Sequence, residues 1–286
     1  MIKCGIDIGG TNIKFGFFND EKLFYEFFIK TPKEKELIVP AICEAIKSKK
    51  NSNLIKKYSI CIPGEILNNV VVFAPNTNIV GLNLYDELSK GLNCKDIIIE
   101  NDANLAALAE ARATNTKDLV LITLGTGLGG GIVIDGNLYN KNAFAGEIGH
   151  IKVEFGPHAR HCTCGRYGCV EAYCSAKNMP QEYNFKHKTD LNSKQIFDLY
   201  EKGDKDAIKC VEHFSRYLGI LIADINQVLC INNFRIGGGL SHASKFFLDK
   251  VMHYYQMNAI PSLKDCCKIE QATLSNKAGI YAAIYI

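Results

Sequence analysis

Apolar residues near the start of the chain fall into three short runs, at residues 2–8, 13–18 and 22–29. Each run has the length of a β-strand and is rich in the β-branched and aromatic residues that strands favour. Two glycines and a threonine occupy positions 9–11, between the first two runs. The pattern therefore predicts a β-hairpin whose tight turn follows soon after Asp7.

A helical spacing of apolar residues follows at residues 34–47. Pro40 lies inside this span, so the helix either kinks there or begins later than residue 34. Buried strands are expected at residues 58–62 and 70–73. The polar segment 74–81 is rich in turn-forming residues and is long enough to cover a cleft.

A β-branched strand at residues 96–100 runs into Asn101 and Asp102, and an alanine-rich helix follows at residues 105–112. In α/β proteins, ligands usually bind at this kind of place, where a strand ends and a helix begins. Asp102 is therefore a candidate for catalysis. Aspartate is also a good helix N-cap, and its position alone favours neither interpretation.

The order of strand, glycine turn and strand occurs a second time. A strand at residues 119–124 is followed by the glycine- and threonine-rich segment 125–131 and by a strand at residues 132–134. Glycines let backbone N–H groups approach a phosphate closely, and a threonine hydroxyl adds a donor. Because a strand follows each set of glycines, neither turn is a Walker A or a Rossmann loop. Two such hairpins predict two similar domains that face one nucleotide.

The C-terminal half is predicted to be mainly helical. A helix at residues 171–177 is followed by a polar linker to about residue 194 and then by long amphipathic helices, including one at residues 204–229. A strand at residues 234–236 leads into a glycine turn and a further helix. This arrangement suits a contact with the nucleotide or, equally, tight packing of a strand on a helix. A strand at residues 268–272 and a helix from residue 277 close the sequence.

The composition is that of an ordinary soluble globular protein. The 286 residues are 47% apolar and 22% charged, which is enough chain for two domains with sizeable cores. The net charge of +3 is small and no basic block is present, so we expect no nucleic-acid partner. No apolar run has the length of a membrane span and the N-terminus lacks the pattern of a signal peptide, so we expect no membrane association.

Most of the twelve cysteines are dispersed through core-like segments, as expected for reduced thiols in a cytoplasmic protein. Cys162, Cys164 and Cys169 form the exception. Three thiolates this close together repel one another and oxidise unless they share a metal ion. The glycines of the same segment allow the turns that would point the sulfurs inward. The spacing therefore predicts a zinc site.

The fourth zinc ligand is less certain, because His150, His158 and His161 all lie near the cysteines. His161 is adjacent to Cys162, which makes chelation of one ion by both residues awkward, and we favour His150. Four protein ligands leave no open position for water, so the predicted zinc is structural.

Together these motifs resemble the ROK family (repressor, open reading frame, kinase) of sugar kinases along nearly the whole chain. The strings that carry the resemblance are residues 7–16, 100–110, 125–131, 146–150, 162–171 and 236–241. The resemblance implies an α/β protein with the actin-like ATPase (ribonuclease H-like) fold, in which two α/β domains surround an interdomain cleft. It further implies a small N-terminal domain of residues 1–112 with 276–286, and a larger domain of residues 113–275 that carries the zinc loop.

The resemblance also implies roles for individual residues. Asp102 corresponds to the general base that accepts the proton of the attacking sugar hydroxyl, and Asp7 to a residue that helps to place Mg²⁺. The implied ligands of the sugar are Asn76, Asn101, Glu147, His150 and Glu171. The implied ATP-binding residues are Gly5, Ile6, Asp7, Ile8, Gly9, Gly10, Thr11, Asn12, Gly125, Thr126, Gly127, Leu128, Gly129, Gly130, Gly238 and Gly239. The implied zinc ligands are His150, Cys162, Cys164 and Cys169.

The sequence departs from the usual family pattern at three places. It contains no tryptophan, so a tryptophan in the sugar-side segment that begins at Asn76 has no equivalent here. After Pro63 and Gly64 the chain continues with residues 65–68, Glu-Ile-Leu-Asn, in place of a segment rich in glycine and aspartate. Ser275 stands where a glycine is usual. The first two departures affect the identity of the sugar.

The resemblance implies an ATP-dependent hexose kinase, with the 6-hydroxyl of glucose as the acceptor. Alternative substrates are N-acetylmannosamine, N-acetylglucosamine and fructose. ROK transcriptional regulators carry a helix-turn-helix domain before the first strand, and here that strand starts at Ile2, so we expect no such regulator. An intact Asp102 argues against a non-catalytic sugar sensor. The expected cofactors are ATP, Mg²⁺ and zinc, and the expected assembly is a homodimer.

Overall fold

The computed structural model describes residues 1–74, 77–140, 144–274 and 278–285. The chain forms two compact units. The first consists of Met1–Asn115, Asn137–Ala145 and Lys277–Ile286, and the second of Thr116–Gly136 and Gly146–Asn276. The bounds expected from the sequence place residues 137–145 in the second domain, whereas the structure groups this segment with the first unit.

The described part of the chain contains strands and α-helices that we number in chain order. The strands are β1 (Ile2–Ile8), β2 (Asn12–Asn19), β3 (Lys22–Lys30), β4 (Ile55–Ile62), β5 (Glu65–Leu67), β6 (Val70–Phe73), β7 (Ile97–Asn101), β8 (Leu119–Leu124), β9 (Leu128–Ile134), β10 (Asn137–Leu138), β11 (Asn233–Gly237) and β12 (Lys268–Gln271). The helices are α1 (Ile38–Lys47), α2 (Leu84–Leu92), α3 (Asp102–Ala113), α4 (Glu171–Cys174), α5 (Gln181–His187), α6 (Ser193–Glu201), α7 (Lys205–Leu229), α8 (Leu248–Asn258) and α9 (Ala278–Tyr285).

The first unit is built on a sheet with the strand order β3-β2-β1-β4-β7. The pairs β1/β2 and β2/β3 are antiparallel, and the pairs β1/β4 and β4/β7 are parallel. Alternate residues of β1 serve opposite faces of this sheet. Cys4, Ile6 and Ile8 join a core with α1 and α2, while Gly5 faces α9.

The second unit repeats this topology. Its strands lie in the order β9-β8-β11-β12, with β8/β9 antiparallel and both β8/β11 and β11/β12 parallel. The long helix α7 carries much of the core through side chains such as Phe214 and Leu218, and α8 packs against it. Gly219 of α7 allows this close approach, because a Cβ there would meet Cβ of Tyr254 at 2.6 Å. The two predicted hairpins thus lie in sheets of the same topology.

Most strands lie where the sequence predicts them, and the differences concern mainly helices. α1 begins at Ile38, after a 3-10 turn at Lys35–Leu37, so Pro40 falls in the first helical turn, where its missing N–H costs no hydrogen bond. The predicted helix at residues 171–177 is shortened to α4, because Ser175 takes an extended conformation. The single helix predicted after the glycine turn is a 3-10 segment, Gly239–Phe246, followed by α8.

Two helices were not predicted. α2 begins after Asn83, whose side chain accepts a hydrogen bond from the backbone N–H of Asp86, and it buries Leu84 and Leu88. α5 lies within the stretch predicted as a polar linker, and it buries Tyr183. None of the helices in the described ranges combines the length and the apolar character needed to cross a membrane.

Candidate active site

The first hairpin turn lies between β1 and β2 and is held by short-range hydrogen bonds. The backbone N–H of Gly9 donates to Asn12 O at 3.0 Å, and the hydroxyl of Thr31 donates to Gly9 O at 2.6 Å. Asp7 precedes the turn, one position before the end of β1, with its carboxylate 3.4 Å from Nζ of Lys14. The turn therefore presents exposed backbone beside one partly exposed carboxylate, an arrangement that suits a phosphate and a divalent cation.

The predicted ATP-binding residues on either side of Asp7 pack within the first unit. Ile6 and Ile8 are fully buried in the core of the first unit. Gly5 lies under α9, where a Cβ would come 2.0 Å from Ile280 O. These residues therefore place the end of β1, and the exposed positions from Gly10 onward are the part of the hairpin that is accessible to a ligand.

Asn101 and Asp102 lie where β7 ends and α3 begins, as predicted. The cap of α3 is Asn101, whose Oδ1 accepts from the N–H groups of Ala103 at 2.9 Å and Asn104 at 3.3 Å. Asp102 is the first helical residue, is exposed, and accepts from Ala103 N–H through Oδ1 at 2.8 Å. The capping role that Asp102 could have filled is thus taken by its neighbour. A helix N-terminus favours a negative charge at this position.

The side chain of Asn101 is largely used within the protein. Its Nδ2 donates to Gly64 O at 2.9 Å, while Oδ1 serves the cap of α3. An asparagine amide offers two donors and two acceptor positions, so one N–H remains for a ligand. The contact to Gly64 also ties this residue to the Pro63–Gly64 segment, which the sequence did not reveal.

Glu100 organises the same region and was not among the predicted site residues. Its Oε1 accepts from the backbone N–H of Asn101 at 2.8 Å and from Nδ2 of Asn104 at 3.2 Å, and its Oε2 accepts from Nδ2 of Asn140. One carboxylate therefore joins the end of β7, the first turn of α3 and the segment after β10. Its place in the string that matches the family, immediately before Asn101, was the only available sequence signal.

The second hairpin turn, between β8 and β9, is held by groups from a distant part of the chain. The backbone N–H of Leu128 donates to Oε2 of Glu171 at 3.0 Å, and the N–H of Ala176 donates to Gly125 O at 2.8 Å. A Cβ at Gly127 would lie 2.5 Å from Oε2 of Glu171 and would displace this carboxylate, whereas a Cβ at Gly125 would meet nothing within 4 Å. α4 and the residues just after it thus support the turn.

Two of the predicted ATP-binding residues, Gly238 and Gly239, follow β11 and lie beside this second hairpin. Gly238 has φ = +79°, and a Cβ there would come 2.5 Å from the carbonyl oxygen of Leu124, the last residue of β8. Glycine is therefore needed at this position for packing. Gly239, the next residue, faces open space, because a Cβ there would meet nothing within 4 Å. The packing interpretation of this turn therefore holds for Gly238, and a contact of Gly239 with the nucleotide stays a prediction.

The four predicted zinc ligands converge in the second unit. One ligand atom from each of His150, Cys162, Cys164 and Cys169 can be chosen so that all lie within 4.8 Å of one another. His158 and His161 are not members of this group. Nδ1 of His150 lies 3.6 Å from the sulfur of Cys162, and the sulfurs of Cys164 and Cys169 lie 3.7 Å apart.

The separations of 3.6 Å and 3.7 Å fit a tetrahedral zinc ion. With Zn–S of about 2.3 Å and Zn–N of about 2.0 Å, tetrahedral geometry places two sulfurs about 3.8 Å apart and a sulfur and a nitrogen about 3.5 Å apart. Gly165 and Gly168, with φ of +84° and +83°, supply the turns of the loop. If Nδ1 of His150 binds the metal, its Nε2 is left for a second partner.

The electrostatics of this cluster favours a thiolate at Cys164. Burial raises the pKa of that thiol, but hydrogen bonds from Arg166, Cys162 and Cys169 outweigh the burial and lower the pKa to about 6. Burial raises the pKa of the other two thiols, to about 12 for Cys162. The guanidinium of Arg166 also donates to His150 O at 2.8 Å, which links the two ends of the metal loop. Arginine near a thiolate stabilises the form of cysteine that binds metals.

The predicted sugar ligands of the second unit lie next to the metal loop. Glu147 is exposed and precedes the 3-10 turn Ile148–His150. Oε1 of Glu171 accepts from the hydroxyl of Thr163 at 2.8 Å and lies 3.7 Å from the sulfur of Cys162. Asn76, the remaining predicted sugar ligand, lies outside the described residues, as does Ser275.

Comparison with known proteins identifies the family. The profile of the ROK family matches residues 3–286. The chain belongs to the ROK family. It is 33% identical to a glucokinase of Halalkalibacterium halodurans over 96% of this chain and 92% of that protein, and 32% identical to an N-acetyl-D-glucosamine kinase of Citrobacter koseri over 99% and 98%.

A solved structure of this family agrees with the fold described above. The ROK family glucokinase of Streptomyces griseus, determined in complex with glucose and AMPPNP, superposes with a TM-score of 0.81 at 29% identity, covering 99% of this chain and 98% of that one. The expected fold is thereby confirmed: the chain is an α/β protein of the actin-like ATPase type.

Proposed function

We propose that this ROK protein is an ATP-dependent hexose kinase that transfers the γ-phosphoryl group of ATP to a sugar hydroxyl, with the 6-hydroxyl of glucose as the acceptor. The observation that carries the proposal is the similarity to a glucokinase over 96% of the chain. The glycine hairpins at the ends of β1 and β8 and the Asn101–Asp102 pair at the start of α3 support it.

Asp102 is the general base of the proposed reaction. Phosphoryl transfer passes through a loose transition state, so the attacking hydroxyl loses its proton late and a carboxylate is a sufficient base. Asn101 takes the capping role at the start of α3, and the helix N-terminus favours the ionised form of a carboxylate there. The exposed position of Asp102 leaves its carboxylate accessible to a substrate.

Polar side chains bind the sugar in this proposal. Carboxylates, an amide and an imidazole offer the acceptors and donors that pair with hydroxyl groups, and they are supplied by Asn76, Asn101, Glu147, His150 and Glu171. A pocket that pairs each hydroxyl rejects sugars that lack one, by about 10⁴-fold in favourable cases. Nε2 of His150 is the atom left for the sugar when Nδ1 faces the metal loop.

The nucleotide is bound by the two hairpins and by the glycines after β11. The N–H groups of Gly9, Gly125 and Leu128 donate within the protein, so the backbone N–H groups at residues 10–11 and 126–127 contact the phosphates. Asp7 helps to hold Mg²⁺, which proteins commonly bind through one or two carboxylates together with phosphate oxygens. When bound, Mg²⁺ neutralises charge on the phosphates. Zinc bound by His150 and the three cysteines has a structural role, since no coordination position remains for water.

The proposal is tested with a panel of sugars in a coupled assay that measures ADP release. Glucose should give the largest kcat/KM, and the panel should include N-acetylglucosamine, N-acetylmannosamine and fructose. The similarity to an N-acetyl-D-glucosamine kinase favours that sugar as the second candidate, and a preference for it would change the substrate but not the reaction. A lack of stimulation by any sugar would contradict the kinase assignment.

The proposal also includes the cellular location and the oligomeric state of the enzyme. We expect a cytoplasmic homodimer that binds no nucleic acid. Sedimentation of the purified protein, with and without glucose, measures the assembly, and a monomer at micromolar concentration would contradict this part of the proposal.

A further inference from the structure

Both carboxylate oxygens of Glu171 are engaged by groups that belong to different functional segments. Oε2 accepts from the backbone N–H of Leu128 at 3.0 Å, directly after the proposed phosphate-binding turn. Oε1 accepts from the hydroxyl of Thr163 at 2.8 Å. Thr163 lies between two predicted zinc ligands, Cys162 and Cys164. A single side chain therefore joins the metal loop to the nucleotide turn.

The connection on the nucleotide side is close. A Cβ at Gly127 would lie 2.5 Å from Oε2 of Glu171, so the carboxylate fits against bare backbone. The other end of the turn is held by the same part of the chain, because Ala176 N–H donates to Gly125 O at 2.8 Å. A displacement of Glu171 would thus shift or break its hydrogen bond to Leu128 and change the conformation of the turn.

The connection on the metal side depends on the conformation of the cysteine loop. The N–H of Cys162 donates to Arg166 O at 2.8 Å, and the N–H of Gly165 donates to Cys162 O at 3.0 Å. Thr163 is exposed and has the hydroxyl contact to Glu171 as its anchor to the rest of the unit. A metal ion that fixes Cys162 and Cys164 fixes the residue between them.

We propose that Glu171 couples metal binding at the cysteine loop to nucleotide binding at the turn of residues 125–128, with Thr163 as the positioning residue that holds the carboxylate in place. The inference rests on the proposed function, which assigns that turn to ATP. Coupling between two sites is reciprocal: the nucleotide tightens metal binding by the same factor by which the metal tightens nucleotide binding.

The test measures zinc affinity by competition with a chromogenic chelator, with and without the non-hydrolysable analogue AMPPNP and with Mg²⁺ in both arms. In the unaltered protein the analogue should tighten zinc binding by about 5-fold or more, the lower end of typical coupling. Thr163→Val, which keeps the shape of the side chain but removes the hydroxyl, should bring this factor close to one. Thr163→Ser, which keeps the hydroxyl, should retain it.

Calorimetric titration of AMPPNP into the same three proteins separates the possible failures. Nucleotide binding without any effect on zinc affinity overturns the coupling alone, as does an equal factor in the unaltered protein and Thr163→Val. Absence of nucleotide binding overturns both the coupling and the proposed function. If Thr163→Val does not fold, as judged by circular dichroism, the nucleotide affinities of the metal-loaded and metal-free unaltered protein decide: equal affinities contradict the proposal.

Discussion

The two units contain the same hairpin in the same sheet context but support its turn in different ways. In each unit the hairpin is an antiparallel pair next to two parallel strands, β2-β1-β4-β7 in the first and β9-β8-β11-β12 in the second. The first turn is held by its own strands and by Thr31, 22 residues from its partner Gly9. The second has its own backbone hydrogen bond, from Gly125 N–H to Gly127 O, and is also held by Glu171, 43 residues from its partner Leu128 and in contact with the metal loop.

This difference shows that two glycine turns of the same kind can be stabilised by different parts of the chain. Both turns offer backbone groups to a ligand, but only the second has a carboxylate that a Cβ on its glycine would displace. The conformation of the first hairpin turn should therefore be insensitive to zinc, whereas that of the second should depend on zinc. The first unit contains the proposed general base, Asp102. The second contains Glu171, whose position we expect zinc to influence through Thr163. The following predictions test this division, from the largest expected effect to the smallest.

The largest effect is expected for Asp102→Asn in the first unit. Loss of the general base should reduce kcat by about 10²-fold or more, because a positioned base contributes about 10²–10⁴-fold. The affinity for sugar should be retained. Steady-state kinetics and calorimetry measure the two quantities. Asp96→Asn, which alters an exposed carboxylate paired with Lys57 shortly before β7, is the matched control and should leave kcat near its original value.

Metal removal should affect the two hairpins unequally. The purified protein should contain one zinc ion per chain by elemental analysis. A chelator should reduce the hydrogen-exchange protection of residues 146–171 and of the turn at residues 125–128, while the turn at residues 9–12 keeps its protection. Equal loss in both turns would show that the metal stabilises the whole chain, and absence of zinc from protein prepared without chelators would contradict the metal site.

Two alanine substitutions in the second hairpin test the contact with Glu171. Gly127→Ala should lower the free energy of unfolding by about 1.5–3 kcal/mol, because its Cβ would displace the Glu171 carboxylate from the Leu128 N–H and a hydrogen bond to a charged group contributes about that much. Gly125→Ala is the matched control: it lies in the same turn, directly after β8, and its Cβ would face open space. It should change the free energy of unfolding far less. Denaturant unfolding measures both. Similar values for the two variants would mean that Glu171 does not press on the turn.

The smallest effect is expected in the first hairpin. Thr31→Val removes the hydroxyl that donates to Gly9 O and should cost about 0.5–1.5 kcal/mol of stability, the usual net value of one hydrogen bond. Thr31→Ser should restore most of it. The loss should be the same with and without zinc. A loss that appears only in the metal-free protein would remove the contrast between the two hairpins.

The strands and the paired hairpins could be predicted because their patterns are local. β1, β2 and β8 follow from short apolar runs bounded by turn residues, and the family motifs follow from contiguous strings. Some local features were available but were not used. Asn83 before Leu84 and Leu88 is a capped amphipathic pattern, and it predicts α2.

Other features could not be read from the sequence, because they depend on contacts between distant residues. The helix predicted after the glycine turn is interrupted at Phe247, which is fully buried and has a non-helical φ of −132°. Glu171 could be placed near the sugar by resemblance, but its contacts to Leu128 and Thr163 appear only in the folded chain. The same holds for Glu100, which gathers donors from three segments of the first unit.

The most direct test of the central claim follows the phosphoryl group itself. The protein is incubated with ATP, Mg²⁺ and glucose, and the products are identified by ³¹P nuclear magnetic resonance, with Asp102→Asn in parallel. The account predicts glucose 6-phosphate in equal amount to ADP for the unaltered protein and at least about 10²-fold slower formation for the variant. ADP without a sugar phosphate, or equal rates in the two proteins, would contradict it.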